Sequence, residues 1–238
     1  GAVINWQSFN IAPNELVKFL QANANSAVLN RVVGTGGSEL LGMLQSNGRV
    51  FVINTNGILI GPNAQINTAG FVASTLDISN ADFANGKLAF VKDGAKSDAP
   101  LTNQGVIQVE AGGLIALLGG SVNNSGILSV NQGQVILAAG QSITLSDIQN
   151  PSISYLVTAP SNAVVNVGNI IASQGLVELE GASVNHSGLI NVDSASLDAQ
   201  GNVLLFAQGG TASVNGAISV NNSQGRAGNI TIAGADVT

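Results

Sequence analysis

The sequence predicts an all-β solenoid, a parallel β-helix forming one elongated domain over residues 1–238. Three observations predict it. A glycine-led beat of about 21 residues recurs after residue 100. Each beat holds a second apolar run, so two or three short strands fit into every turn. Charged residues make up only 8% of the chain, against roughly a quarter in ordinary globular proteins. A repeat this short cannot bury its own apolar face. Stacked copies can, with equivalent strands about 4.8 Å apart in parallel sheets.

The first hundred residues are the least regular. Aromatic residues concentrate there, at Trp6, Phe9, Phe19, Phe51, Phe71, Phe83 and Phe90. A solenoid end exposes its open core and needs a cap, and a bulky irregular section answers that need. Residues 1–95 are expected to hold the cap and first rungs, with residues 14–19 a strand or helix crossing the end. Val50-Phe51-Val52-Ile53, Gly57-Ile58-Leu59-Ile60 and Ala64-Gln65-Ile66-Asn67 already read as rung strands.

Residues 96–238 carry the regular rungs. Gly105-Val106-Ile107-Gln108-Val109 returns as Gly126-Ile127-Leu128-Ser129-Val130 and Gly168-Asn169-Ile170-Ile171-Ala172. It returns again as Gly188-Leu189-Ile190-Asn191-Val192 and Gly216-Ala217-Ile218-Ser219-Val220. The second and fourth residues after the glycine are apolar in every copy, the alternation of a strand with one buried face. Runs such as Leu114-Ile115-Ala116-Leu117, Val135-Ile136-Leu137-Ala138 and Val203-Leu204-Leu205-Phe206 supply a second strand. Ser121-Val122 and Ser142-Ile143-Thr144-Leu145 supply a shorter third. Glycine and asparagine at the joints predict corners with positive φ.

Two intervals break the beat. The stretch from Gly126 to Gly168 spans two periods and contains Pro151 and Pro160, which do not suit the middle of a stacked sheet. A strand pair or long excursion projecting from the helix is expected at about 146–165. The interval from Gly188 to Gly216 runs about seven residues over one period, which predicts an outward loop over residues 193–200. Insertions in solenoids map to the surface, so Tyr155, Pro160 and Asp193 are the candidates for surface specificity. The last copies run to Ile232 without a closing cap, as expected of the first segment of a longer solenoid.

Composition excludes several chemistries. There is no cysteine, hence no disulfide, thiol nucleophile or Cys-ligated zinc. The formal net charge is −6, and no Lys or Arg occurs in residues 97–225. A nucleic-acid surface needs a basic stripe, so no nucleic-acid partner is expected. The same gap argues against clamping of phosphates or uronic acids. No apolar run approaches the length of a membrane helix. The lone histidine, in Asn185-His186-Ser187-Gly188, reads as a solvated corner rather than a metal ligand. Glu178 and Glu180 alternate along a strand and read as a solvated outer face rather than an acid/base pair. Asn123, Asn185, Asn221 and Asn229 open Asn-x-Ser/Thr sequons, in which corner geometry is favoured over glycosylation. No catalytic residue, metal site or cofactor is expected.

Five blocks before residue 80 carry a family resemblance. They are Asn5-Trp6-Gln7-Ser8-Phe9-Asn10-Ile11, Leu29-Asn30-Arg31-Val32-Val33-Gly34, residues 42–48, Asn54-Thr55-Asn56-Gly57-Ile58 and Ala73-Ser74-Thr75-Leu76-Asp77-Ile78. In order and spacing they resemble the N-terminal secretion (TPS) domain of two-partner-secretion exoproteins, also called the filamentous-haemagglutinin N-terminal domain. Ile153-Ser154-Tyr155 with Ala159-Pro160 is similar to the high-molecular-weight-adhesin branch. In one departure, the family's Asn-Pro-Asn-Gly reads Asn54-Thr55-Asn56-Gly57. Threonine keeps turn chemistry but loses the pre-set φ of proline.

The resemblance implies a right-handed single-stranded parallel β-helix with three sheets, an N-terminal cap and extra-helical β-strand motifs. It implies a non-enzymatic secretion and targeting module of a large exoprotein, an adhesin. Its partner would be an outer-membrane TpsB-type β-barrel transporter, whose periplasmic POTRA domains bind the module while it is extended. The β-helix would then nucleate outside a Gram-negative cell, with the product at the cell surface or extracellular. A host-cell or matrix receptor would belong to the full-length exoprotein, and the module itself would be a monomer. Asn30, Arg31, Asn54, Thr55, Asn56 and Gly57 match the family's motif positions for transporter recognition and folding. A corner turn with internal hydrogen bonds is the plainer reading of the same residues. Arg31 has Glu39 and Asp77 as candidate acid partners. A structural or adhesive solenoid, and a polysaccharide-active β-helix enzyme, are the alternative functions.

Overall fold

The structure, a computed structural model, describes residues 1–94, 96, 98–147, 151–195, 201–225 and 227–238. Three parallel sheets of nine, eight and eight strands run along the molecule. The chain visits them in a fixed cycle. Arg49–Ile53, Ile58–Ile60 and Gln65–Thr68 make one turn, and Gly70–Ser74 opens the next beside Arg49–Ile53. The first sheet runs from Ala2–Trp6 to Asn229–Ala233, the second from Ser38–Leu40 to Asp236–Val237, and the third from Leu16–Phe19 to Ala217–Ser219. Leu16–Phe19 is therefore a rung strand in the third sheet, not an element across the end.

Alternation in the sequence becomes columns in space. Leu101, Val122, Val164, Val184 and Ala212 stack in register through the second sheet. Ile107, Leu128, Ile170, Ile190 and Ile218 do the same through the third. Most of these side chains are fully buried and face a common interior with Val135, Val177 and Val203 of the first sheet. Burying one such side chain contributes about 2 kcal/mol, which each rung gains only against its neighbours. Trp6, Phe9 and Phe19 close the amino-terminal end of that interior, with ring centroids 5.6 and 6.5 Å apart.

The joint glycines have a different cause from the one expected. Gly105, Gly126, Gly168, Gly188 and Gly216 do not have positive φ. A Cβ on any of Gly126, Gly168, Gly188 and Gly216 would instead overlap the carbonyl oxygen of the preceding glycine in the column. The rungs approach too closely there for a side chain. Positive φ occurs at another joint, where Gly112, Gln132 and Gln174 occupy successive turns, and Gln132 Nε2 donates to Gln174 Oε1 at 3.2 Å.

Both large insertions leave at the same joint, between the first and second sheets. Residues 75–99 supply Asp77–Ile78, the short helix Asn80–Ala84 and Ala89–Val91. Residues 140–162 supply Ser142–Leu145 and Ile153–Val157. These four strands form one antiparallel sheet. Ser142–Leu145 is thus not the third strand of a rung. Of the excursion expected at about 146–165, Ile153–Val157 is a strand, but it pairs with Ser142–Leu145 and lies on the first sheet instead of projecting. Ile127–Asn131 pairs directly with Asn169–Ser173, so the long interval is one rung plus an insertion. Between cover and first sheet lies a second core, with Phe51, Ile53, Ala116, Leu118 and Ile136 below and Ile78, Phe90 and Ile143 above. A sheet buried on both faces needs unbroken apolar runs, which is why Leu114–Gly119 and Gln134–Ala139 do not alternate. Asp98 ties the two insertions together. It accepts from Lys92 Nζ at 2.7 Å, Gln141 Nε2 at 3.1 Å and Ser161 Oγ at 3.1 Å, and the lysine bond leads the lowering of its pKa. Of the loop expected over residues 193–200, residues 196–200 lie outside the described residues.

Two expectations fail on burial. His186 is fully buried, not a solvated corner. It ends a ladder in which Asn103 Nδ2 donates to Asn124 Oδ1 and Asn124 Nδ2 to Asn166 Oδ1, each at 2.8 Å. Asn166 Nδ2 then meets His186 Nδ1 at 3.0 Å, and His186 Nε2 lies 3.2 Å from the Ala217 carbonyl. That arrangement requires the neutral ring with its proton on Nε2, and burial lowers the histidine pKa. Glu178 and Glu180 do share the outer face of their strand, but that face is covered, with 5% and 8% exposure. Glu178 Oε2 accepts from the Ile153 backbone N–H at 2.9 Å. Burial raises the Glu178 pKa, and burial with the neighbouring Glu178 pushes Glu180 up to about 7.

Candidate functional site

The motif residues converge on the second and third turns of the solenoid. Asn54 ends the strand Arg49–Ile53 and is fully buried. Its Nδ2 donates to the Gly36 carbonyl at 3.0 Å and to Ser38 Oγ at 2.9 Å. Its Oδ1 accepts from the Asn56 backbone N–H at 2.9 Å and from Asn56 Nδ2 at 3.0 Å. Asn56 Nδ2 also donates to the Gly34 carbonyl at 2.9 Å. Gly57 closes the turn with its N–H on the Asn54 carbonyl at 3.1 Å and φ of +117°, a conformation that favours glycine. One asparagine side chain thus fastens its own turn to the joint of the preceding rung.

Thr55 sits where the family carries proline. Its hydroxyl is bonded by Lys96 Nζ, which also reaches Asn56 Oδ1 at 3.2 Å. Proline would offer no acceptor there, so the substitution exchanges a pre-set φ for a tie to the end of the first insertion.

Asn30 and Arg31 anchor opposite sides of one strand, Ala27–Val32. Asn30 is fully buried, accepts from Trp6 Nε1 at 3.1 Å and donates to the Phe51 carbonyl at 3.2 Å. Arg31 points to the cover. Its Nε donates to Asp77 Oδ1 at 2.8 Å, its Nη1 to Asn80 Oδ1 at 2.6 Å and its Nη2 to the Ile78 carbonyl. Asp77 is the partner of the ion pair, while Glu39 is exposed on the strand Ser38–Leu40. Arg31 therefore clamps the first insertion to the β-helix. A cleft of about 470 Å³ beside it is lined by Arg31, Thr55, Asp77, Lys92, Asp93 and Lys96 among others.

The remaining candidates do not join this group. Tyr155 is exposed on the cover strand Ile153–Val157, and Pro160 is exposed where that insertion returns to the solenoid. Asp193 is half-buried and fastens one turn to the next, accepting from Ser219 Oγ and the Asn221 N–H, each at 2.6 Å. Among the described residues, no three His, Cys, Asp or Glu side chains gather as a metal site.

Ser38, Lys96 and the ladder escaped the sequence reading. A signal for the ladder was there, since Asn103, Asn124, Asn166 and His186 each lie two residues before a column glycine. Ser38 and Lys96 have no such signal, because they lie 16 and 41 residues from their partners Asn54 and Thr55.

A family model described as the TPS secretion domain matches residues 2–232. The chain belongs to the TPS secretion-domain family. The crystal structure of the HMW1 secretion domain from Haemophilus influenzae aligns with a TM-score of 0.96 at 47% sequence identity, covering 99% of this chain and 63% of that one. A heme/hemopexin-binding protein of Haemophilus influenzae strain Rd is 45% identical over 75 residues. A second Haemophilus influenzae protein of the same description is 43% identical over 77 residues. Each of these two matches spans 32% of this chain and 8% of the relative. This TPS domain is thus a secretion-targeting module on a three-sheet β-helix, of the kind carried by exoproteins that Gram-negative bacteria secrete.

Proposed function

We propose that this TPS domain directs a large exoprotein to an outer-membrane TpsB-type β-barrel transporter and nucleates the β-helix outside the cell. The transporter's periplasmic POTRA domains take the domain while it is extended, and Asn30, Arg31, Asn54, Thr55, Asn56 and Gly57 form the motif on which recognition and folding turn. Residues 1–95 act as cap and first rungs, and residues 96–238 as the regular rungs added behind them. The domain performs no catalysis of its own. The exoprotein is an adhesin, and its host-cell or matrix receptor is bound by the full-length product at the cell surface.

The burial of Asn54 at the joint of the first complete rungs supports this reading most directly. In the folded domain its side chain is used up internally, so contact with a partner fits the extended chain, and closure of the turn fits release. Rung-by-rung pairing supports folding in the order of emergence, because each turn finds its partners on the turn already formed. The test is secretion of a reporter fused after residue 238, with a cognate transporter present. The Asn54→Ala and Asn56→Ala fusions are expected to remain in the periplasm, whereas Tyr155→Ala is secreted. Normal secretion of both asparagine variants would remove the motif from recognition.

A further inference from the structure

The outer face of the first sheet is apolar under most of the cover, as at Phe51, Ile53, Ala116, Leu118, Ile136 and Ala138, and carries Glu178 and Glu180 beneath the cover's edge. The cover ends at Ile153–Val157, the last strand of its sheet. The floor beneath that edge is the strand Leu176–Gly181. On the next strand Leu204 and Phe206 face outward beside Glu178 and Glu180, and both are only half-buried. The edge strand itself carries no lysine, proline or other charge to discourage pairing, although Pro151 and Pro160 bracket it. Beneath that edge Glu180 is 8% exposed, and among the described residues it has neither a hydrogen-bond donor nor a cation. Among the described residues Glu178 receives only the Ile153 N–H.

We propose that this edge is a docking site for an extended segment of a second protein. The segment adds a fifth strand to the cover sheet, lays an apolar side chain on Leu204 and Phe206, and brings a lysine or arginine to Glu178 and Glu180. Unpaired strand edges take such segments through backbone hydrogen bonds, and the side chains below set the sequence. The charge selects a foreign strand over a second copy. Two copies joined at this edge would bring together four carboxylates and no base, since residues 97–225 contain no Lys or Arg.

The probe is a capped synthetic peptide of sequence Thr-Val-Thr-Lys-Thr-Val-Thr-Lys-Thr, which as a strand presents valine and lysine on one face, titrated into the isotopically labelled 238-residue chain. Saturable amide shifts are expected along Ser154, Tyr155, Leu156 and Val157. Affinity should fall by roughly tenfold or more when glutamate replaces the peptide lysines, and by a similar factor in Glu180→Gln. A backbone N-methylated peptide should not bind, because it keeps the charge but cannot pair with the edge. The Glu180→Gln chain removes a buried acid and should fold, as checked by circular dichroism. Absence of shifts at millimolar peptide, equal binding of the glutamate peptide, or binding of the N-methylated form would each overturn the proposal. So would sedimentation showing that the edge is taken up by self-association.

Discussion

In the turn at Asn54 one buried amide gathers groups from the preceding rung and from its own loop, and Lys96 closes it from a distant insertion. In the ladder from Asn103 to His186 each side chain bonds its equivalent one rung away, and among the described residues only Asn103 of the three asparagines also turns back on the Gly105 N–H and carbonyl. Both arrangements satisfy polar groups where water is excluded. The turn is particular, since among the described residues no other turn repeats its set of partners. The ladder is generic and can be extended by any rung that places an amide at the same phase. A solenoid needs both kinds of contact. The first sets where winding starts, and the second lets it continue.

The largest expected effect separates the two. Asn54→Ala leaves Ser38, Asn56 and the Gly36 carbonyl short of partners at a buried site, and should cost about 3–4 kcal/mol in urea unfolding. Hydrogen exchange should quicken mainly in the rungs around Gly57. Asn124→Ala interrupts the ladder at its centre and should cost about 2–3 kcal/mol. Its faster exchange should spread to the Asn103 and Asn166 rungs. A loss confined to the Asn124 strand would show that the ladder is a row of independent contacts.

Titration sharpens the contrast at the far end. The Glu180 pKa is raised from 4.5 to about 7. Its contribution is full below pH 4.5 and is lost as pH rises through about 7. Glu180→Gln should therefore stabilise the chain by on the order of 1–2 kcal/mol at pH 8 and change little at pH 4.5, read from denaturation midpoints. His186 has the opposite sign. Its pKa is lowered by burial from 6.5, so stability is full above that value and falls as acid charges the ring. His186→Asn should be close to neutral at pH 7.5 and should recover part of the loss at pH 5. If the variant shows the same acid loss as the parent, the ladder does not depend on a neutral ring. The smallest effect is expected of Thr55→Pro, which restores proline's φ and removes the Lys96 acceptor. Its thermal midpoint should correspond to a change within about 1 kcal/mol.

Much of this architecture was legible because a repeat states the same thing several times. The alternation behind each column glycine predicted which side chains stack inward, and Ile107, Leu128 and Ile170 do so. The asparagine turn was legible only through its family resemblance, since nothing local to Asn54 predicts Gly36 or Ser38 as partners. The misreadings share one cause. Glu178, Glu180 and His186 were assigned to solvent from their positions within a strand or turn, and neither position reveals what another segment lays over it. The column glycines were misread for a related reason. Their requirement comes from the backbone of the next rung and not from their own φ.

The sequence by itself determined the winding. A period near 21 residues, strands with one apolar face and joints lacking side chains allow little besides a stack of turns, because only neighbouring copies can bury those faces. Tertiary structure decided what lies over the stack. The two insertions fold onto the first sheet, bury the outer face of its continuous apolar runs, and place two glutamates beneath a strand edge. That outcome depends on contacts between residues far apart in sequence, where periodicity carries no information and packing alone selects the arrangement.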